Sequence, residues 1–180
     1  MGAAITPSVP TATNLWRGTG ICYKEYGEGT QREIGATRGD IKFSDDREFR
    51  HQDYNGMYGP TEGLKVITKA VQMLTFPLLD LSYQNFDDCF AGLAVSDEGA
   101  YHEITEDLAV AAADYHENIT WAGERKDGKY ALILIFNALG DGKIEMNMKD
   151  KDDIVLDTQF TAHYGTATPT TPPWAIRMED

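Results

Sequence analysis

The stretch that decides the fold is a hairpin pattern: His116-Glu-Asn-Ile-Thr-Trp121, the turn Lys126-Asp-Gly-Lys129, and Tyr130-Ala-Leu-Ile-Leu-Ile-Phe136. An Asp-Gly pair between two strand-forming runs is a strong signal for a tight β-turn. Residues 130–136 are almost wholly apolar, so both faces of this strand are predicted to be covered by other parts of the protein. The pattern therefore predicts a β-rich domain built around this hairpin.

Strand signals continue on both sides of the hairpin. Residues 143–149 alternate strictly, with Ile144, Met146 and Met148 on one face, and residues 154–164 alternate in the same way. On the N-terminal side, a short turn at Asp45-Asp46 is predicted to join two alternating strands, and a long extended run follows at 64–76. The two strands on either side of the Asp45-Asp46 turn are predicted at residues 40–44 and 48–52, and a further strand precedes them at residues 20–26. About eight strands and one helix imply a mainly β fold, a β-sandwich or partly open barrel with a flanking α-helix.

One helix is predicted at residues 85–91. Asn85 can cap its first turn, and Asp87 and Asp88 suit the positive end of the helix dipole. Its apolar groups then fall on one face: Phe86, Cys89, Phe90 and Leu93. A weaker helical pattern at residues 106–113 is equally compatible with extended chain.

Both ends of the chain are interpreted as arms. Residues 1–20 show no periodic pattern, and residues 165–180 hold three prolines that exclude a helix or a central strand. We therefore expect one β-sandwich domain at 21–164 between an N-terminal and a C-terminal arm. Each arm carries an aromatic anchor, Trp16 or Trp174. Two alternatives stay open for each: docking on a neighbouring subunit, or folding back on its own domain.

The charge balance is strongly acidic, with 29 Asp and Glu against 16 Lys and Arg and a net charge of −13. Such a surface repels nucleic acid and does not adhere to an anionic membrane. No apolar run approaches the ~20 residues needed to span a bilayer, and no signal-peptide pattern is visible. We expect a protein made in a reducing cytosol, with Cys22 and Cys89 as thiols, although their spacing leaves a disulfide open.

Motifs for catalysis or metal binding are weak. Segments 101–105 and 115–120 repeat a Tyr-His-Glu pattern that allows a metal site, but solvent-facing strand residues are the simpler interpretation. Asp150, Asp152 and Asp153 lack the glycine and distal glutamate of a calcium loop and are typical of a turn. No nucleophile elbow or phosphate loop is present in the sequence. We therefore expect no enzymatic activity, no metal and no cofactor.

The stretch from Ile34 to Ser82 resembles a known family. It begins Ile34-Gly-Ala-Thr-Arg-Gly39-Asp-Ile-Lys-Phe43, continues through a charged strand and a glycine-containing loop, and ends Phe76-Pro-Leu-Leu-Asp-Leu81. This order resembles the core of the tail tube proteins of long-tailed bacteriophages, the siphophages. Residues 157–162, followed by Pro172-Pro-Trp-Ala-Ile176, resemble the last strand and C-terminal arm of that family.

The resemblance implies a structural subunit of a virion tail, assembled in the host cytoplasm. Subunits of this family form hexameric rings whose inner sheets join into one barrel, and the rings stack into a tube. Double-stranded DNA passes through the bore during ejection, and an acidic wall would repel its backbone. The implied partners are further copies of the chain and the tape measure, tail terminator and distal tail proteins.

Two sets of candidate site residues follow from this interpretation. Candidates for the bore are polar groups of the amphipathic strands: Asp40, Lys42, Glu48, Arg50, Glu145 and Asn147. Candidates for contacts between subunits or rings lie on the arms and the glycine-rich loop: Trp16, Tyr54, Met57, Tyr58, Trp174 and Ile176. Ordinary solvent exposure, or coverage of the chain's own domain, is the simpler alternative for each residue.

Three other classes stay open. A monomeric carbohydrate-binding β-sandwich would use the plentiful Tyr and Trp as a sugar platform, and glycan binding by a strict monomer would favour it. A small β-barrel hydrolase would use a carboxylate pair, and a turnover assay would test it. A head decoration or head-closure subunit would bind a capsid or connector and would not polymerise alone.

Overall fold

The computed structural model describes residues 11, 15–53, 55, 59–148 and 150–180. Strands hold 52% of the described residues and helical turns 6%, which confirms the mainly β prediction with one flanking helix. The elements are β1 (Trp16–Lys24), β2 (Arg32–Glu33), β3 (Lys42–His51), β4 (Lys65–Leu78), α1 (Tyr83–Cys89), β5 (Leu93–Asp97), β6 (His102–Glu106), β7 (Tyr115–Arg125), β8 (Tyr130–Gly140), β9 (Leu156–Thr161) and β10 (Trp174–Met178). A 3-10 turn, Ala112–Asp114, precedes β7.

Eight strands form one antiparallel sheet that is not closed into a barrel. Its order is β2-β1-β7-β8-β9-β4-β3, β10 also pairs with β8, and β5 and β6 form a separate hairpin. Strand β8 pairs with β9 only at Leu139 and Gly140, at its C-terminal end. The N-terminal half of β8 pairs with β10. The sheet continues from β9 through β4 to β3, and β3 faces β10: the ring centres of Phe43 and Trp174 are 5.5 Å apart. The sheet therefore folds over its own apolar face.

The β7–β8 hairpin confirms the prediction made from its sequence. Adjacent residues of a strand point to opposite faces, and Leu134 and Ile135 of β8 are both buried. Strand β4 alternates instead: Leu74, Phe76 and Leu78 are buried, and the residues between them are half-buried. The first strand is thus covered on both faces, whereas the second contributes one face to the core.

Helix α1 starts earlier than predicted. Its N-cap is Ser82, not Asn85: the Ser82 hydroxyl accepts a hydrogen bond from the Asn85 backbone N–H at 3.3 Å. Asn85 is buried instead, and its side chain bonds the Asp80 carbonyl at 2.7 Å. Serine and asparagine cap equally well, so the pattern alone did not separate them.

An ion-pair cluster fastens α1 to the sheet. Asp88 pairs with Lys24 of β1, at 2.7 Å, and with Arg32 of β2. Burial alone would raise the pKa of Asp88, but the hydrogen bonds and charges of Lys24 and Arg32 outweigh it and lower this pKa below its ordinary value. The charged form of Asp88 therefore stabilises the junction between the helix and the sheet.

Two predictions about secondary structure are wrong. Residues 143–148 do not form a strand, because alternation needs a partner and, within the described residues, only Met146 bridges to Leu156. The predicted turn at Asp45-Asp46 lies inside the continuous strand β3. The segment 106–113, for which helix and extended chain were both open, begins at the end of β6, and the Asp107 carboxylate then accepts a hydrogen bond from the Ala109 N–H and holds a turn.

Candidate assembly surface

Strands β3 and β4 form a hairpin whose outer half projects beyond the core. At residues 46–50 and 65–69, which we call the distal hairpin, every side chain is exposed. Phe49 and Ile67 are cross-strand neighbours on it, and each is 52% exposed. Adjacent large apolar groups on a surface mark an interaction site. The distal hairpin is therefore the first part of the candidate surface.

Basic side chains surround these apolar groups. The distal hairpin carries four bases and two acids: Arg47, Arg50, Lys65, Lys69, Asp46 and Glu48. The Lys65 ammonium lies 4.3 Å from the centre of the Phe49 ring, a cation–π contact. Lys69 lies 3.4 Å from Glu48, whereas Arg50 and Lys65 form no ion pair within the described ranges. The surface is both apolar and basic.

The base of the hairpin is held by a polar contact at the edge of the core. Asp45 accepts hydrogen bonds from Arg47 and, at 2.7 Å, from the buried Gln72 side chain. The hydrogen bond from Arg47 holds the pKa of Asp45 below its ordinary value. The carboxylate therefore stays charged at neutral pH and fixes where β3 leaves the core.

Two strand edges of the sheet are open. Strand β3 pairs only with β4, and β1 pairs with β2 only at Tyr23 and Lys24, as far as the described residues go. An apolar cavity of about 220 Å³ lies between these edges, lined by Trp16 and Phe43 among others. Unpaired edges are templates for adding a strand from another chain.

The six residues predicted for the bore lie in two places. Lys42, Glu48 and Arg50 occupy alternate positions of β3, on the face opposite Phe43 and the core. Asp40 lines a cleft of about 380 Å³ on β4 and β9 that also includes Lys143. The remaining two are Glu145, which pairs with Lys143, and the exposed Asn147. The structure groups Asp40 with Lys143 and leaves Glu48 and Arg50 on the distal hairpin.

The residues predicted for contacts between subunits also divide. Trp16 stacks on Trp121 at 6.2 Å, and Trp174 contacts Phe43, so both pack against the chain's own core. For Trp16 and Trp174, the structure therefore agrees with the alternative in which each arm folds back on its own domain. Ile176 on β10 stays partly exposed. The other three predicted contacts lie outside the described residues: Tyr54, Met57 and Tyr58.

The negative charge is concentrated in one part of the sequence. No Lys or Arg occurs between Lys69 and Arg125, where eleven Asp and Glu lie, and the rest of the chain holds eighteen Asp and Glu and sixteen Lys and Arg. Residues 97–114, which we call the acidic loop, contain six of these acids and no Lys or Arg. None of the six is in an ion pair within the part of the chain that the structure describes. A running charge count along the sequence would have found this segment.

Apolar side chains project from the same acidic loop. Leu108 is 91% exposed, and Val110 and Tyr101 are also largely exposed. The turn is held by its acids, since the Asp114 carboxylate accepts a bond from the Ala111 N–H at 2.9 Å and Asp107 acts likewise on Ala109. The acids thus fix the backbone while the apolar groups face outward.

The described residues offer no group of three or more His, Cys, Asp or Glu placed to hold a metal ion. His102 stacks on Tyr83, whereas His116 is buried with its Nε2 2.7 Å from the Asp88 carbonyl. Burial raises the pKa of Cys22 to about 12 and also raises the pKa of Cys89, so both stay neutral thiols. None of the helices within the described ranges has the length and apolar character needed to cross a membrane.

Comparisons with known proteins identify no family. No protein-family model matches the chain, and no curated protein matches it. Among solved structures, it is similar to the anti-feeding prophage cap, described as a tube-terminating cap. That match has 11% identity and a TM-score of 0.41, and it covers 99% of this chain and 97% of the other. At this TM-score the likeness carries no argument about function.

Proposed function

We propose that this protein is a non-enzymatic structural subunit that assembles with copies of itself into rings, which stack into the tube of a phage-like tail. The observation that carries the proposal is the distal hairpin, with Phe49 and Ile67 exposed side by side outside the core. A monomer gains little from such a hairpin, whereas an assembly covers it.

The open strand edges support the same proposal. A free β3 edge and a largely free β1 edge are hazards in a monomer, because they attract other chains. Pairing between subunits around a closed ring removes both edges. The order of motifs between Ile34 and Ser82, which resembles siphophage tail tube proteins, favours a hexameric ring and a bore for double-stranded DNA.

The charge of the proposed bore is smaller than the net charge of the chain implies. Most of the net negative charge lies between β4 and the end of β7. Of the six candidate bore residues, Glu48 and Arg50 lie on the distal hairpin, so a bore wall is left to the other four, which hold two acids and one base: Asp40, Lys42, Glu145 and Asn147. Such a wall is only slightly acidic, and DNA slides past it because few cations are present to bind phosphate.

The test is negative-stain electron microscopy of the purified protein over a range of concentrations, with light scattering for the mass. The proposal predicts rings or tubes with a central bore, and a mass that rises with concentration. A monomer of 20.0 kDa at every concentration, with or without a preassembled tail initiator, would contradict it. In that case glycan titration would test the carbohydrate-binding alternative next.

A further inference from the structure

We infer that the distal hairpin of one copy docks against the acidic loop of the next copy. This inference rests on the proposed self-assembly and adds to it which two surfaces meet. Both surfaces are exposed in the single chain, and they differ in sign of charge. The contact joins two different patches, so it is heterologous and repeats from copy to copy.

Each of the two surfaces presents large apolar groups. The distal hairpin presents Phe49 and Ile67 on one face, each 52% exposed, and Val66 on the other face, 40% exposed. The acidic loop presents Leu108 and Val110 after β6, and Tyr101 before it. Aromatic and aliphatic groups of this size form the centre of protein interfaces when a partner covers them.

Charges around these apolar groups are complementary. Arg50 and Lys65 lack an acidic partner within the described residues of their own chain. Lys65 lies over the Phe49 ring, and Arg50 extends from the other face of the same hairpin. The acidic loop has no Lys or Arg of its own, and neither residue type follows it until Arg125. Opposite patches steer association and fix which surfaces meet, and like patches exclude the wrong pairing.

The loop is prepared for docking by its own hydrogen bonds. Asp107 and Asp114 each accept a backbone N–H bond within the loop, at 3.2 Å and 2.9 Å, so the turn that presents Leu108 is fixed before binding. A preformed turn loses less conformational freedom on docking than a flexible one. Glu103 and Glu106 lie on opposite faces of β6. Their carboxylates accept no hydrogen bond within the described ranges and remain available to a partner.

The experiment compares charge reversals by sedimentation and light scattering at low salt. The hairpin variant is Arg50→Glu with Lys65→Glu, and the loop variant is Glu103→Lys with Glu106→Lys. A control, Lys126→Glu with Lys151→Glu, reverses the same amount of charge at exposed turns elsewhere. A combined variant carries the hairpin and loop changes together, and circular dichroism checks that all four fold.

Each single-surface variant is expected to raise the concentration for half-assembly about tenfold or more, equivalent to about 1.4 kcal/mol per tenfold. The combined variant recovers wild-type assembly because the signs match again, and the control changes little. Leu108→Ser weakens assembly to a similar degree without any charge change. Added salt weakens the wild type.

Two results would overturn the inference, and they are distinguishable. Wild-type assembly in which neither variant differs from the control, or in which the combined variant is not restored, refutes this contact and leaves the proposed function standing. A wild-type protein that stays monomeric at all concentrations refutes the proposed function, and the inference falls with it.

Discussion

The β7–β8 hairpin and the β3–β4 hairpin are both long antiparallel pairs, yet they are covered differently. The first is buried through its middle and exposed at Tyr115 and Tyr130, whereas the outer half of the second is exposed throughout. In β8, neighbouring residues Leu134 and Ile135 are both buried. In the distal hairpin, Phe49 and Ile67 are half exposed although they pair across the strands. Both pairs are antiparallel, although β3–β4 has a register shift between Glu48 and Phe49 and β7–β8 has none. The difference in exposure lies in what covers the side chains. The first hairpin holds the fold together, and the second leaves a surface for other chains.

The sharpest test of this difference substitutes the same residue type in both hairpins. Ile135→Ala removes apolar atoms that are fully buried in β8. It is expected to lower the free energy of unfolding by about 2–5 kcal/mol. Urea denaturation measures the change. A loss below about 1 kcal/mol would mean that β8 does not carry the core.

A second test concerns the ion pairs of Asp88, which belong to the covered part of the molecule. Asp88→Asn weakens two charged hydrogen bonds, to Lys24 and Arg32, and should cost about 1.5–3 kcal/mol at neutral pH. The folded pKa of Asp88 is lowered, so its contribution is complete above the unfolded value of about 3.9 and is lost as pH falls through the folded value. The stability difference between wild type and variant is therefore expected to shrink below about pH 4. A difference that stays constant down to pH 2 would contradict this role.

Gly140 tests how closely β8 is packed against α1. A Cβ added at Gly140 would lie 2.2 Å from the Cys89 carbonyl oxygen, so the backbone of one element must move. Gly140→Ala is expected to lower stability by about 1–3 kcal/mol, the usual range for overpacking. Thermal denaturation checks this, with Gly18→Ala as the control, because nothing lies within 4 Å of a Cβ there. Equal effects of the two substitutions would refute the close approach.

The smallest stability effect is expected in the distal hairpin. Ile67→Ala should change the free energy of unfolding by about 0.5 kcal/mol or less, because Ile67 is 52% exposed. Its effect appears in assembly instead, as a higher concentration for half-assembly in light scattering. If Ile67→Ala destabilises the monomer as much as Ile135→Ala does, the distinction between the hairpins is wrong.

How far the sequence predicts this molecule depends on which physical signal each feature leaves. The covered strand β8 was predictable because a continuous apolar run has to be buried on both faces. The strand prediction for 143–149 was wrong because alternating apolar and polar residues show that a segment has two different faces, but not that a partner strand lies beside it. For the same reason, the alternating pattern does not distinguish the covered half of β3 from its projecting half, so the sequence does not show where the distal hairpin begins.

The candidate site was predicted only in part. Glu48 and Arg50 were singled out as bore residues, but they lie on the projecting hairpin. No residue of 46–50 or 65–69 was predicted to contact another subunit. The acidic loop was missed because the interpretation used the total charge and not its distribution. Trp16 and Trp174 were assigned to arms, but aromatic groups near chain ends pack equally well against their own core, and here they do.

The measurement that tests the central claim most directly is amide hydrogen exchange on the assembled particle and on the dissociated chain. The account predicts that the distal hairpin exchanges readily in the dissociated chain, since exposed hairpins open locally, and slows on assembly. Amides of β7 and β8 should exchange slowly in both states. Assembled particles in which residues 46–50 and 65–69 exchange as fast as in the free chain would contradict the claim that this hairpin is an assembly surface.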